Sequence, residues 1–409
     1  MLKTGKIGLS YVMNLIQETF SGDSSGQGIH GKLTKMGVLT KTLQKRGGLL
    51  SKIAQVLAFE HPDTTAYDRV EPEQMKSTHQ NFVYRLEATP PPYSVDSKEV
   101  YRSGSIGQVY TGEYKGEKIA IKVKYLNIHK SIEEDVSIVE TISCYTFGLG
   151  KQFLKAYMTQ IKDTMLREID YPLEVKNHKL MHETWDGVYY VKIPKIYPEL
   201  CDSDTIVTQF VEDGQSFDEF LKTATQEEKN KIGLDIVRFV FTSFYEHRLL
   251  YSDIHPGNFI ITKDKKGEPI INVLDFGCMH TLDKSTHKYL KKIHKSLKRK
   301  NDEKFIKYAR KISFLKLTED EEKNEELINQ YLKCYEVQYR PWVQETEFHF
   351  NEEWMETYKT LPSIYKDVKI SSELLYVHRI LFNLNLLLMK LNAKGRFYEI
   401  FNSLIPNHD

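Results

Sequence analysis

Cysteine is scarce in this sequence. The four present, Cys144, Cys201, Cys278 and Cys334, are widely separated and form no C-x-x-C pair. Neither a zinc site nor a disulfide framework is expected, and a reducing, intracellular compartment suits the chain best. Excess charge is missing too: 57 Lys and Arg stand against 56 Asp and Glu, a formal net charge of +1. A dedicated nucleic-acid binder usually shows a basic excess, so no nucleic-acid partner is expected. No run of eighteen apolar residues exists. The nearest, residues 380–391, is shorter and interrupted by Asn383 and Asn385, which argues against a membrane span. Residues 1–20 lack arginine, and no small-residue cleavage site follows the apolar residues 7–15. They read as an amphipathic helix rather than a secretory leader, and a mitochondrial transit peptide is poorly supported. No internal repeat is apparent.

What is present is enough chain, 409 residues, for two or three packed units. Helical patterns broken by a Gly/Ser-rich loop fill the first ninety or so residues and end at Pro90-Pro91-Pro92, a stiff linker. Strand patterns follow over 109–114 and 118–125, joined by a turn at Lys115-Gly116-Glu117. Alternation puts Ile119, Ile121 and Val123 on one face of the second strand and Ala120, Lys122 and Lys124 on the other. Residues 131–183 read as helical, with a new helix starting near Tyr171 and Pro172 in its first turn. Strands are expected at 191–196, 205–211, 259–262 and 270–274, helix over 217–248, and helix with polar breaks after about 285. A small, mostly β unit followed by a mostly helical one is a bilobal α+β plan, with ligands expected where the two meet.

Three strings carry chemistry. Lys122 ends Ile119-Ala120-Ile121-Lys122; an ammonium on a strand neutralises phosphate as a point charge, and Glu174 is a candidate to fix it. Read alone, Lys122 is more readily a surface lysine on an edge strand. Asp253-Ile254-His255-Pro256-Gly257-Asn258 offers a carboxylate that orients or deprotonates a hydroxyl or water. Five residues on, Asn258 can reach magnesium, and Pro256-Gly257 forces the turn between them. The bland alternative is an Asx-capped loop. Asp275, before Phe276-Gly277, ends an apolar run, where a carboxylate is costly unless paired or bound to metal. Upstream, Arg102-Ser103-Gly104-Ser105-Ile106-Gly107-Gln108-Val109 has the small residues that let backbone N–H groups approach phosphate, and equally those of a plain hairpin. Residues 288–300 are basic at helical spacing; a solvated helix face is favoured over contact with anionic lipid or a phosphorylated partner. His255 and His280 have no zinc spacing and read as loop or packing residues. Any one string is weak; their order makes phosphoryl transfer the default.

Together these strings resemble the UbiB/AarF/ADCK-type atypical kinases, a branch of the protein-kinase-like fold. Ser105-Ile106-Gly107-Gln108-Val109 is similar to the end of that family's Ala-rich nucleotide loop, and Glu168-Ile169-Asp170 to its Glu-x-Asp motif. Asp253-Ile254-His255-Pro256-Gly257-Asn258 is similar to its Asp-Pro-His-Pro-Gly-Asn, and Lys52-Ile53-Ala54-Gln55 to its Lys-x-Gly-Gln. Glu174 and Asn177 fall where the family has a helix Glu and a following Asn. The likeness covers roughly residues 45–315.

The resemblance implies an N-terminal helical extension (1–95), a kinase-like N-lobe (96–212), C-lobe catalytic and metal loops (213–284) and a helical remainder (285–409). It implies ATP or ADP with magnesium, or manganese, as cofactors. Lys122, Glu174 and Asp253 are the implied catalytic residues, and Asn258 and Asp275 the metal ligands. Ser105, Ile106, Gly107, Gln108, Val109, Ala120, Lys122, Gln209 and Val211 are the implied nucleotide contacts. Lys52, Gln55, Glu168 and Asp170 form the implied lid. ATP hydrolysis or small-molecule phosphorylation linked to coenzyme Q or isoprenoid lipid metabolism, often at membranes, is the implied activity. A protein Ser/Thr kinase and a nucleotide-binding pseudokinase scaffold are the alternatives. Departures are Arg102-Ser103-Gly104 in place of alanines, Ala54 for glycine, Tyr251 for the usual His, Gln209 for an acidic hinge residue and a shorter segment between Pro92 and Arg102. Gly104 moves the loop toward an ordinary kinase loop and leaves the ATP-or-ADP preference open.

Overall fold

The computed structural model describes residues 72–97, 99–104, 106–129, 162, 165–312, 321–358 and 372–406. The helical patterns expected before residue 72 and over 131–161 lie outside them. The chain divides into two compact units, one built from residues up to Val175 together with Ile196–Phe210, the other from Lys176–Lys195 and Val211 onward.

Among the described residues, the first unit holds an antiparallel sheet with a helix packed against it. The helix α1 spans Pro72–Ala88, and the strands are β1 (Ser94–Val95), β2 (Arg102–Ser103), β3 (Gly107–Tyr114), β4 (Glu117–Lys124) and β6 (Thr205–Gln209). Their order is β1-β3-β4-β6, with β2 also on β3. β3 and β4 meet in a two-residue hairpin whose Lys115 and Gly116 have φ of 52° and 80°, the left-handed pair that matches strand twist. The expected alternation holds: Tyr110, Ile119, Ile121, Val123 and Val207 are buried together with Phe82 of α1 and Tyr197. Phe82 and Tyr110 stack with ring centroids 4.3 Å apart.

The helix α2 (Tyr171–Trp185) starts at Tyr171 with Pro172 in its first turn. Its residues to Val175 belong to the first unit and those from Lys176 to the second.

The second unit holds a four-stranded sheet of β5 (Val191–Lys192), β7 (Gln215–Ser216), β9 (Phe259–Lys263) and β10 (Pro269–Val273), in the order β5-β10-β9-β7. β10 is buried at every residue, so its side chains are nearly all apolar. The strand expected over 191–196 stops at Lys192, because Pro194 has no N–H for a ladder; Ile196 keeps a single bridge to Thr208 in the first unit's sheet. The helix expected over 217–248 is two helices, α3 (Phe217–Thr223) and α4 (Gln226–Tyr245), followed by the short strand β8 (Leu249–Tyr251). The break follows from capping: Ser216 with Glu219 and Thr225 with Glu228 each form a reciprocal capping box, which starts a new helix wherever it occurs.

β8 pairs with β11 (Met279–Thr281). After it come α5 (Lys284–Lys298), α6 (Asp302–Lys311), α7 (Glu321–Val343), α8 (Glu352–Tyr358), α9 (Ser372–Lys390) and α10 (Phe397–Leu404), with a small ladder of β12 (Phe348–His349) and β13 (Lys394–Gly395). All three tryptophans of the chain, Trp185, Trp342 and Trp354, are buried in this unit's core. Among the described residues, no helix is long and apolar enough to cross a membrane.

Candidate functional site

Lys122 sits in the middle of β4. Register places it beside Val109 and Ile206, with Thr111, Ala120 and Thr208 one step along. That face is opposite the Tyr110–Ile121–Val207 core. Lys122 Nζ lies 2.9 Å from Glu174 Oε1 and 3.0 Å from Oε2. Glu174 is 2% exposed, the Lys122 side chain 22%. The pair is little screened by water and is fixed in one geometry. The ring of Tyr171 adds to it, with the ammonium groups of Lys122 and Lys124 both 5.2 Å from its centroid. Lys124 is also tied to the Ile169 carbonyl at 3.2 Å and to Asp204.

The position of Glu174 follows from the start of α2. Asp170 Oδ1 accepts the Leu173 amide at 3.1 Å, and the Asp170 carbonyl accepts the Glu174 amide at 2.9 Å. Asp170 therefore caps the helix that carries Glu174. Glu168, its neighbour in the motif, is buried. Lys52 and Gln55, expected to meet these two residues, lie outside the described residues, as does Ser105.

The strand residues of the expected nucleotide loop divide by face. Gln108 has its side chain buried at 1% exposure. It donates to the Met75 carbonyl at 3.1 Å and accepts from the Tyr110 hydroxyl at 3.1 Å. Strand alternation turns its amide toward α1. Ile106 is buried, while Val109 and Ala120 are half-buried on the Lys122 face. Gly107 is held by packing: a Cβ there would lie 2.4 Å from the Val123 carbonyl oxygen and 2.9 Å from the Tyr171 hydroxyl. Gln209, the exposed last residue of β6, pairs with Ile119 and so falls on the face opposite Lys122. Val211 is half-buried and opens the chain's return to the second unit.

In the second unit, Asp253, Asn258 and Asp275 are brought together by β8, β9, β10 and β11. Ser252, next to Asp253, is anchored by its amide (3.1 Å) and hydroxyl (2.6 Å) to the Cys278 carbonyl. The loop then makes a 3-10 turn at Pro256–Asn258, with His255 Nδ1 accepting the Gly257 amide. This turn folds Asn258 back on Asp253: Asn258 Nδ2 donates to Asp253 Oδ2 at 2.7 Å and to the Asp253 carbonyl at 3.0 Å. The β9–β10 register of Phe259 with Val273, extended by the Leu274 amide to the Asn258 carbonyl at 3.0 Å, delivers Asp275 beside Asn258. Asp275 Oδ1 accepts the Gly277 amide at 3.0 Å. Phe276 is fully buried, edge-on to His178, and its carbonyl accepts Asn177 Nδ2 at 3.0 Å. Tyr251 lies beneath the site; burial, then the charges of Asp253 and Asp275, push its phenol well above the usual tyrosine value, so it remains a neutral hydroxyl. His280 stacks on Tyr376, ring centroids 3.8 Å apart, the packing role expected of it.

The donor set suits a hard divalent cation. Asn258 gives its amide hydrogens to Asp253, leaving Oδ1 as its oxygen for coordination, and Asp275 adds a carboxylate. Two such ligands, together with waters and phosphate oxygens, would meet the needs of a magnesium ion. No group of three or more His, Cys, Asp or Glu side chains that could cage a metal occurs among the described residues. Sequence reasoning missed Arg379 of α9, whose guanidinium lies 3.7 Å from Asp253 Oδ1 with both side chains nearly buried, at 10% and 12% exposure. Its signal was one arginine in the middle of a largely apolar helix. The ring of Tyr171 beneath Lys122 was missed as well, since an aromatic beside Pro172 reads as packing.

The chain matches the family model of the ABC1 atypical kinase-like domain over residues 67–309, inside the 45–315 expected. It is 23% identical over 256 residues to an ABC1 family protein of Schizosaccharomyces pombe, covering 58% of this chain and 48% of that protein. It is 28% identical over 221 residues to the mitochondrial atypical kinase coq-8 of Caenorhabditis elegans, covering 53% and 29%. It is 24% identical over 255 residues to the probable protein kinase UbiB of Shewanella piezotolerans, covering 60% and 46%. The matches thus span about half the length of these relatives or less. Among solved structures, Rv3197 of Mycobacterium tuberculosis, determined with erythromycin, is similar in fold with a TM-score of 0.56 at 18% identity, covering 91% of this chain and 95% of that one. Motifs, mixed helix-and-strand fold and matched domain agree: the chain belongs to the ABC1 atypical kinase-like family, among whose members are UbiB and AarF-domain kinases.

Proposed function

We propose that this protein binds ATP or ADP with magnesium and transfers or hydrolyses the terminal phosphoryl group. The observation that carries the reading is the two-oxygen ion pair between Lys122 and a buried Glu174. A lysine so held cannot swing to solvent, and its charge is fixed where a strand face offers it to phosphate oxygens. Asp253 takes the proton of an acceptor hydroxyl or orients a water, with its carboxylate aimed by Asn258. Asn258 and Asp275 hold magnesium, which neutralises charge on the transferring phosphoryl group when bound. Ser105, Ile106, Gly107, Gln108 and Val109 present backbone to the phosphates, and Ala120, Val211 and the backbone of Gln209, whose side chain lies on the other face, complete the nucleotide contacts.

The finer architecture belongs to the same proposal: a bilobal kinase-like body with an N-terminal helical extension, its parts bounded near residues 95, 212 and 284. Lys52 and Gln55, with Glu168 and Asp170, form a polar lid that excludes protein substrates. The resemblance to UbiB-like kinases points the acceptor toward coenzyme Q or isoprenoid lipid metabolism, with a lipid or membrane surface as partner.

Purified Lys122→Ala and Asp275→Asn proteins are expected to lose the magnesium-dependent thermal stabilisation that ATP or ADP gives the wild type, a shift equivalent to about 2.7 kcal/mol at a hundredfold excess of ligand over Kd. Unchanged shifts in both variants would sink the assignment. Turnover stimulated by liposomes and isoprenoid-like phenols supports the lipid-linked acceptor; turnover that yields only phosphoprotein favours a protein kinase. Binding without turnover favours a scaffold.

A further inference from the structure

We infer that Arg379 is a positioning residue for Asp253, supplied by the helix α9. The inference rests on the nucleotide reading above. α9 is apolar along the buried side that carries Val377, Ile380, Leu381 and Leu384. Of its few charged residues, Glu373 and Lys390 stand near its ends, and Arg379 alone lies mid-helix. Burying a guanidinium among such neighbours is costly unless it meets an anion, and the anion it meets is Asp253.

The two oxygens of Asp253 are then held differently. Oδ2 accepts a short hydrogen bond from Asn258 at 2.7 Å. Oδ1 faces Arg379 at 3.7 Å, an ion pair rather than a hydrogen bond. One contact pins the carboxylate and the other sets its direction.

α9 is itself fixed for this task. Tyr376 stacks on His280 of β11, the strand paired with β8 just before Asp253. Asn385 accepts the Trp354 indole N–H at 3.0 Å and donates to the Leu381 carbonyl at 2.7 Å. A buried Arg–Asp pair is a weak source of net stability, so its value lies in aim.

The test compares wild type, Arg379→Gln, Arg379→Met, Arg379→Lys, Asp253→Asn and the Arg379→Gln/Asp253→Asn double variant, using the full chain with Mg-ATP. Phosphate release gives kcat and KM; thermal shift with Mg-ADP gives binding. Gln and Met are expected to lower kcat about 10- to 100-fold, the scale of a misaimed group, while KM and Mg-ADP binding stay within about 2-fold. Lys should recover most of the loss, and Arg379→Gln should add nothing in the Asp253→Asn background. An unchanged kcat, a loss carried by KM, or an equal further loss in the Asp253→Asn background overturns the inference. The Met variant, with an apolar stem suited to the helix, carries the test if Gln does not fold. Wild type that turns over, is silenced by Asp253→Asn and is indifferent to Arg379 overturns the inference alone. Wild type without turnover overturns it together with the reading beneath it.

Discussion

Two glycines three residues apart show how differently single positions are constrained. Beside Gly104 the nearest atom to an added Cβ is the Gly107 carbonyl oxygen at 3.6 Å, ordinary contact, whereas at Gly107 the Val123 carbonyl oxygen lies at 2.4 Å. Gly104→Ala is therefore expected to fold normally and to gain up to about 1 kcal/mol from a stiffer unfolded chain, leaving any change in ATP-against-ADP binding to report on the loop itself. Gly107→Ala is expected to cost about 1–3 kcal/mol, because backbone must move. Urea unfolding of both variants checks the pair. The sequence reading placed both glycines in one loop and could not foresee this difference, because spacing says nothing of what packs against a strand. Lys122, Glu174, Asp253, Asn258 and Asp275 stood out in it because each lies within a few residues of a turn or an element end, where local signals are strong. Arg379 escaped it because its partner is over a hundred residues away, and the inward turn of the Gln108 amide because α1 covers that face.

Helix boundaries were legible where a capping residue stands beside an apolar pattern and illegible where a cap interrupts one, as Thr225 does between α3 and α4. The start of α5 tests such a cap. Asp283 accepts the amides of Ser285 and Thr286 at 2.8 and 2.9 Å, and its bonds to Thr286, side chain first and then backbone, hold its pKa below the ordinary 3.8. Asp283→Ala is expected to destabilise the protein by about 1 kcal/mol at neutral pH. The sign follows from the lowered value: the contribution is present above pH 3.8 and lost as pH falls through the folded-state pKa, so variant and wild type should converge in acid. Chemical denaturation at pH 7 and pH 3 measures it. On the same helix the basic run is partly absorbed by the fold. Lys292 lies over the rings of Tyr289 and Tyr308, Lys298 reaches Asn402 and the Ile405 carbonyl, and Lys291 reaches the Tyr245 carbonyl. This agrees with the reading of residues 288–300 as a helix face rather than a dedicated anion site.

At the scale of the molecule, the division into a sheet unit and a larger helical unit was visible in the change from strand to helix patterning, whereas the return of Ile196–Phe210 to the first unit was not. That return depends on β6 pairing with β4, a long-range choice that local periodicity does not encode. The placement of Trp185, Trp342 and Trp354 in one unit has a practical outcome. Indole emission is a private reporter of the second unit, while far-UV circular dichroism sums both, and a chain of two units need not unfold in one step. With Mg-ADP bound as proposed, the transition seen by dichroism but not by emission should move up along with the fluorescent one, because Lys122 and Glu174 belong to the unit that is dark. A rise confined to emission would assign the nucleotide to the second unit alone. The distribution of three side chains thus makes the unmodified protein a two-channel spectroscopic assay, with no label introduced.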